Sequence, residues 1–406
     1  MMELDPSQLA AVELACTASF GVITGGPGTG KSTSLRVALD RMDMAGQSYA
    51  LAAPSGKAAK RMTEATGRPA STIHRLLGWT PFGWTYRADN PLEQSCIIID
   101  ESSMVDVELA ADLLDAIAPH TRLILTGDAN QLPPVGPGRM FGELVESNAV
   151  PVARLSTVHR SAAESWVCVN APKVLAGVPI DLSPHHDFRF VEAESQEDVA
   201  RAIALLVGQD EYRGAQVLAP QRNTECGVEA LNTRLQARLN PPGGDRAEWK
   251  LGDKLLRCGD RVIQTANNYK LCSTDGLAGV FNGEVGDIVA LEERLVVDFG
   301  DRRVAYSKGD AATGLDLAYA LSVHKSQGSE FPYVIFAVHS AHTFMLSRPL
   351  FYTAITRAKK GVILVGNQKG LSVACSAKEP PKRQTALIER MREYEIAAAA
   401  AGGDNS

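Results

Sequence analysis

The 406-residue sequence predicts an α/β fold of two domains built on parallel sheets, with a short β-hairpin inserted in the first and a small β domain inserted in the second. Three observations carry this. Short apolar, β-rich runs at residues 20–24, 49–53, 96–100 and 123–126 alternate with helical stretches, the pattern of strands joined by helical crossovers. The series pauses at the polar, proline-containing stretch 147–153 and resumes with strands at 188–192 and 217–219. From 241 to 314 glycine becomes frequent, and the runs 261–265, 284–290 and 295–299 are short, β-branched and closely spaced. The organisation predicted is a first domain over 1–150 with its hairpin at about 79–92, a second over 151–252 and 314–372, an insertion over 253–313, and a helix fraying into a disordered tail over 373–406.

Composition narrows the class without naming it. A hydrophobic share of 45% allows large cores, but runs such as Cys96-Ile97-Ile98-Ile99 are strand-sized, far below the roughly 20 residues of a membrane helix. No basic leader precedes an apolar core, so a cytoplasmic protein with no membrane partner is expected. The seven cysteines are scattered without a Cys-x-x-Cys pair, which argues against a zinc site or a disulfide framework. A net charge of −6 offers no global attraction to phosphates, so any nucleic acid must be held by a local groove.

The first element is also the most specific. Gly25-Gly26-Pro27-Gly28-Thr29-Gly30-Lys31-Ser32-Thr33 follows the strand at 20–24 and opens a helix, the context in which glycines let backbone amides close around a β-phosphate. Lys31 would neutralise the β- and γ-phosphates, and the Ser32 hydroxyl would ligate Mg²⁺ at the positive end of the helix. A bland glycine turn is the competing reading, and the full pattern in full context outweighs it. The next buried strand ends in Asp100-Glu101, at the carboxyl edge where α/β folds bind nucleotides. Asp100 would hold the Mg²⁺ and Glu101 would polarise the attacking water; alone, such a strand end would be merely solvated. The third strand leads into Gly127-Asp128-Ala129-Asn130-Gln131, where Gln131 would place its amide near the γ-phosphate, though by itself this is a polar turn stiffened by prolines.

In order along the chain these blocks, with those that follow, resemble the motif series of superfamily 1 helicases, and in detail the RecD-like group B. Leu4-Asp5-Pro6-Ser7-Gln8 is similar to the glutamine motif, in which Gln8 would read the adenine edge. Ala53-Pro54-Ser55-Gly56-Lys57 and Ser71-Thr72-Ile73-His74-Arg75 are similar to the blocks that contact single-stranded DNA from the first motor domain, which assigns Pro54, Ser55, Lys57, His74 and Arg75 to nucleic acid. Thr157-Val158-His159-Arg160 resembles the block whose arginine reaches the γ-phosphate, although Ser161 stands where relatives generally carry glutamine. The stretch from Ala320 through His324-Lys325-Ser326-Gln327-Gly328-Ser329-Glu330 resembles the block that touches DNA through His324 and Lys325 and nucleotide through Gly328 and Glu330. Tyr352-Thr353-Ala354-Ile355-Thr356-Arg357 is similar to the block supplying a second arginine finger.

The resemblance implies two RecA-like P-loop motor domains, ATP and Mg²⁺ as cofactors, and 5′ to 3′ movement on single-stranded DNA coupled to duplex unwinding in repair, recombination or replication. It also implies a separating pin at the hairpin, where Phe82, Trp84 and Tyr86 share one strand face, and an SH3-like fold for the insertion, which would guide DNA or dock a repair or recombination partner. Each has a plainer reading: the aromatics as packing, the histidines as ordinary polar residues, and Lys57, Lys60 and Arg61 as a solvated helix face. A monomeric motor without the amino-terminal accessory domain of many relatives is expected. Two other functions stay open, an ATPase subunit that unwinds only within a larger recombination complex and a non-hydrolysing, nucleotide-gated DNA-binding protein. Intact Lys31, Asp100, Glu101, Gln131, Arg160 and Arg357 speak against the latter.

Overall fold

In a computed structural model the described residues are 4–80, 82–158, 165–243, 247–272, 278–300, 302–376, 383 and 385–402. The chain divides into two compact units, Met1–Pro54, Ala58–Glu164 and Pro380–Ser406 in the first, and Ser55–Lys57 and Ser165–Glu379 in the second. Among the described residues no helix is long and apolar enough to cross a membrane.

The first unit is a six-stranded parallel sheet. Its strands are β1 (Phe20–Gly25), β2 (Tyr49–Ala53), β3 (Ala70–Thr72), β6 (Cys96–Ile99), β7 (Arg122–Gly127) and β8 (Val152–Leu155), in the order β3-β2-β6-β7-β1-β8, while β4 (Trp79–Thr80) and β5 (Gly83–Trp84) form the hairpin. Val22, Ile97, Ile99, Leu123 and Leu125 face one core, whereas Ile23, Leu51, Cys96, Ile98 and Ile124 face another. Burial on both faces explains why these strands read as continuous apolar runs, not alternating ones. The helices that cover the sheet are α1 (Pro6–Thr17), α2 (Lys31–Met44), α3 (Gly56–Thr66), the short α4 (Ile73–Leu76), α5 (Val107–Asp115) and α6 (Met140–Ser147). Residues 152–155, assigned from sequence to the second domain, pair in parallel with β1. A polar, proline-bearing stretch marks a loop equally well inside a domain as between two.

The second unit carries α7 (Trp166–Ala176), β9 (Phe188–Glu192), α8 (Gln196–Val207), β10 (Gln216–Ala219) and α9 (Val228–Leu239) before the insertion. There follow β11 (Glu248–Leu251), β12 (Lys254–Arg257), β13 (Arg261–Gln264), β14 (Asn268–Cys272), β15 (Ala278–Val280), β16 (Val285–Leu291), β17 (Leu295–Asp298), β18 (Arg303–Tyr306), α10 (Lys308–Gly314) and β19 (Leu315–Leu317). A five-stranded antiparallel sheet, β18-β17-β16-β13-β19, organises this segment around its own core of Val262, Ile288, Leu295, Val297, Val304 and Tyr306. The motor sheet resumes with β20 (Ala320–Ser322) and β21 (Phe331–Val338), then α11 (Arg348–Ile355), β22 (Ala358–Gly366) and α12 (Gln368–Ser376), giving the parallel order β20-β10-β21-β22-β9. The insertion is fastened to this sheet by a buried carboxylate. Asp260 accepts hydrogen bonds from Gln236 Nε2 (2.6 Å), Asn240 Nδ2 (2.8 Å), the Arg257 amide (2.7 Å) and the Tyr319 hydroxyl (2.9 Å). A buried charge is tolerable when so fully hydrogen-bonded.

Over 373–406 the sequence predicts a helix fraying into a tail. The structure has α13 (Leu387–Gly402), and what the sequence did not indicate is its docking, with Leu387 and Met391 packed against the first unit's core cluster and Arg383 donating to the carbonyls of Gly136 and Gly138.

Candidate functional site

In the first unit β1, β6 and β7 end together, because parallel register brings their carboxyl termini to one edge of the sheet. The loop after β1 is shaped for phosphate. Gly28 and Gly30 adopt φ of 72° and 85°, the left-handed region that side chains avoid. A Cβ on Gly25 would stand 2.7 Å from Thr29 Oγ1 and 2.8 Å from Leu155 Cβ, so only glycine lets the loop close. Buried Thr29 locks the turn by donating from Oγ1 to the Gly26 carbonyl at 2.9 Å. The Lys31 ammonium lies inside the loop, donating to the carbonyls of Gly25 (2.5 Å) and Gly26 (3.2 Å), so it is already aimed where a β-phosphate would sit. Gly26 and Pro27 complete the turn, and Ser32 and Thr33 follow Lys31 in the first turn of α2.

Gln8 sits beside this loop for a local reason. Asp5 caps α1 through the amides of Ser7 and Gln8, and Gln8 Oε1 accepts from the Asp5 amide at 3.1 Å in a reciprocal capping box. The Gln8 side chain is 2% exposed, and its Nε2 reaches the Thr29 carbonyl at 3.5 Å.

At the end of β6, burial and the neighbouring Glu101 carboxylate push Asp100 up to about 6. Glu101 has φ 51°, a left-handed conformation that is strained for a non-glycine residue and turns its side chain out of the strand direction. Its Oε1 lies 3.2 Å from Arg61 Nη1. The sequence leaves Arg61 open between a solvated helix face and the DNA groove; α3 instead points it at the candidate base, which helical spacing does not reveal. After β7, buried Asp128 accepts from the Asn130 amide at 3.0 Å and from Gln131 Nε2 at 3.4 Å. The opposite atom, Gln131 Oε1, is buried without a hydrogen-bond partner among the described residues. Buried acceptors are rarely left so, and this one, on the loop after β7, suits a bound polar group such as a water. Loop, strand-end acids and orphaned amide together fit a nucleoside triphosphate with its metal.

The residues assigned to DNA from the early part of the chain lie on a neighbouring stretch, of which Ser55–Lys57 group with the second unit. Pro54 and Ser55 follow β2 and lead into Lys57 in α3, and Arg75 is exposed on α4. His74 is half-buried with its ring 5.5 Å from the Trp84 ring, and burial pushes the imidazole below its ordinary value. Phe82 at the hairpin tip is 100% exposed, whereas Trp84 and Tyr86 are partly buried against the domain core. The three aromatics expected on one strand face therefore divide into one tip and two anchors, because β5 ends at Trp84.

In the second unit, Arg357 is 3% exposed at the end of α11, donating from Nε to the Thr353 carbonyl (3.3 Å) and from Nη1 to the Ser329 carbonyl (3.2 Å). This ties the arginine block to the segment carrying Gly328 and Glu330, the latter 3.2 Å from Lys359. His324 and Lys325 occupy a short 3-10 turn after β20. Lys325 Nζ stands 3.6 Å from Asp316, which also holds Lys254 at 2.7 Å and lies 4.0 Å from Arg222. Burial pushes the Lys325 ammonium below its ordinary value, with Asp316 opposing. Asp316, gathering three cations, was not anticipated from sequence. Arg160 falls outside the described residues, as do Ser161 and Pro81.

Three protein families match successive parts of the chain. The AAA domain covers residues 8–137, the ATP-dependent RecD-like DNA helicase SH3 domain covers 231–299, and the UvrD-like helicase C-terminal domain covers 317–365. The second of these falls on the insertion. The ATP-dependent RecD2 DNA helicase of Deinococcus radiodurans is 40% identical over 377 residues, 92% of this chain but 50% of its own length, so the chain spans about half of that relative. The RecBCD enzyme subunit RecD of Mycolicibacterium smegmatis is 33% identical over 441 residues, covering 95% of this chain and 74% of its own. In fold, the chain is similar to Bacteroides Pif1 bound to ssDNA, with a TM-score of 0.56 at 20% identity and 98% of each chain covered. Pif1 helicase from Candida albicans is similar with a TM-score of 0.55 at 20% identity, covering 99% of this chain and 100% of its own. Nucleotide loop, SH3-like insertion and extended similarity agree, and the chain belongs to the RecD-like DNA helicases.

Proposed function

We propose that this chain is an ATP-dependent DNA helicase that moves 5′ to 3′ along single-stranded DNA and opens tailed duplexes in repair, recombination or replication, working as a monomer in the cytoplasm. The observation that supports this most directly is the carboxyl edge of the first sheet, where the strands leading to Lys31, Glu101 and Gln131 end side by side. Lys31 would exchange its two loop carbonyls for the β- and γ-phosphates of ATP, and Gln8 would hold the adenine. Glu101 would polarise the attacking water, with Gln131 orienting it. Ser32 and Asp100 would hold Mg²⁺, which when bound neutralises charge on the phosphates. Arg160 and Arg357 would add positive charge at the γ-phosphate, so that its loss on hydrolysis removes a contact and drives a step. Pro54, Ser55, Lys57, Arg75, His324 and Lys325 would track the DNA backbone, and Phe82 would meet the duplex junction.

Unwinding assays on matched 5′-tailed and 3′-tailed duplexes test the reading. The parent should open the 5′-tailed substrate with ATP; Lys31→Ala and Glu101→Gln should both lose turnover, while Glu101→Gln still binds ATP. Parental hydrolysis by Glu101→Gln at saturating single-stranded DNA would remove Glu101 from its role. A second reading is favoured by the similarity to a RecBCD subunit: an ATPase that unwinds only beside partners docked on the insertion. DNA-stimulated hydrolysis without opening of either duplex by the isolated chain is its signature.

A further inference from the structure

The hairpin is fused to the domain at its root. The amides of Thr85 and Tyr86 both donate to the Leu77 carbonyl, at 3.2 and 3.1 Å, and Thr85 Oγ1 donates to the Gly78 carbonyl at 2.8 Å. Leu77 and Ile73 are fully buried on either side of α4, so this root cannot shift without moving the core. Above the root, two residue pairs join the strands, Trp79 with Trp84 and Thr80 with Gly83, and so short a ribbon is marginal by itself. Something must fix the angle at which it stands. Trp84 is the candidate anchor, and the ring it meets is His74, with centroids 5.5 Å apart and planes at 52°. His74 is held in place from below, because Thr72 caps α4 by accepting from the Arg75 amide at 3.1 Å.

We propose that His74 is a positioning residue for strand separation: its ring buttresses Trp84 and fixes the hairpin that presents Phe82, and it does so by packing, not by contact with a DNA phosphate. This rests on the reading of the hairpin as the separating element. Two observations favour packing over a phosphate contact. The ring is half-buried against an aromatic partner, and burial pushes the imidazole below its ordinary value, away from the charged form that makes a phosphate contact strong. An edge-tilted aromatic pair of this separation contributes enough to hold a short hairpin in one orientation. Because His74 and Arg75 are adjacent on α4, the buttress also places the tip in fixed register with the segment assigned to the DNA backbone.

The test uses the full chain with His74→Phe, His74→Gln, His74→Ala and Phe82→Ala, and reads base pairs opened per ATP hydrolysed together with the salt dependence of single-strand binding. Packing predicts that His74→Ala and His74→Gln lower the coupling ratio by about tenfold at most, the upper size of an aromatic pair, and that His74→Phe restores it. The slope of log K against log salt should match the parent in all three. The inference is overturned if His74→Gln keeps the parental ratio while His74→Phe loses it, or if the slope falls by about 0.7, the mark of one lost phosphate contact on a single strand. It is likewise overturned if hydrolysis and opening fall in step, since His74 would then serve the motor as a whole. Phe82→Ala separates the two levels of the argument. If it opens duplex as well as the parent, the hairpin reading itself fails; if it loses opening while His74→Ala and His74→Phe behave alike, only the buttress fails.

Discussion

His342 shows how a single buried group ties the second unit to pH. It is fully buried in the turn after β21, with its Nε2 2.9 Å from Thr224 Oγ1 and 3.5 Å from Cys226 Sγ, and burial pushes it down to about 4 from an ordinary 6.5. The folded value lies below the unfolded one, so between pH 6.5 and 4 the unfolded chain takes up a proton that the fold refuses. The stabilisation is complete above pH 6.5 and is lost as pH falls toward 4, with a slope of up to about 1.4 kcal/mol per pH unit. Urea unfolding of parent and His342→Gln at pH 7 and pH 4.5 checks this: the difference between the two pH values should shrink in the variant, and equal differences would remove His342 from the account. Sequence inspection singles out His74 and His324 among the eight histidines but not this one, because burial comes from packing of distant segments. The same holds for the Arg61–Glu101 pair and for Asp316. The placement of Lys31 and Gln131 just after strands, by contrast, was legible because phosphate chemistry demands particular residue types at fixed spacing from a strand.

At the scale of elements, parallel strands announced themselves through apolar runs, and the insertion through glycine and β-branched spacing. What failed to show was the destination of the terminal helix. Its charged and alanine-rich sequence reads as a helix fraying into a tail, yet Leu387 and Met391 pack against the cluster that includes Phe141, Leu144 and Val145, and Thr385 donates to the buried Glu143 carboxylate. Two apolar residues a turn apart are too weak a period to distinguish docking from solvation. Each partly buried side chain should contribute about 1–2 kcal/mol. The double variant Leu387→Ala/Met391→Ala is expected to lower the unfolding midpoint and to speed hydrogen exchange at the amides of Met140–Ser147. Unchanged exchange across α6 would mean that the helix is not seated there. Since Arg383 also holds the carbonyls of Gly136 and Gly138, which follow the Gln131 loop, the same variant should be followed for ATP turnover.

For the whole molecule, the question is why a phosphate loop in one unit is accompanied by a buried arginine in the other. Arg357 is 3% exposed, and among the described residues it donates to the backbone carbonyls of Thr353 and Ser329, neither of which carries a charge. A guanidinium held this way keeps its charge for an anion and has its fork orientation set in advance. The resemblance of its block to an arginine finger names the γ-phosphate as that anion under the proposed function. Arg357→Ala should therefore slow DNA-stimulated hydrolysis by about 10³-fold while ADP, which lacks that phosphate, binds as before. Arg357→Lys keeps the charge without the fork and should recover only part of the rate. Because removing a buried side chain can also loosen its own unit, unfolding midpoints of both variants must be compared with the parent. A folded Arg357→Ala protein that turns over ATP at the parental rate would make the arginine a brace between α11 and the Ser329 turn.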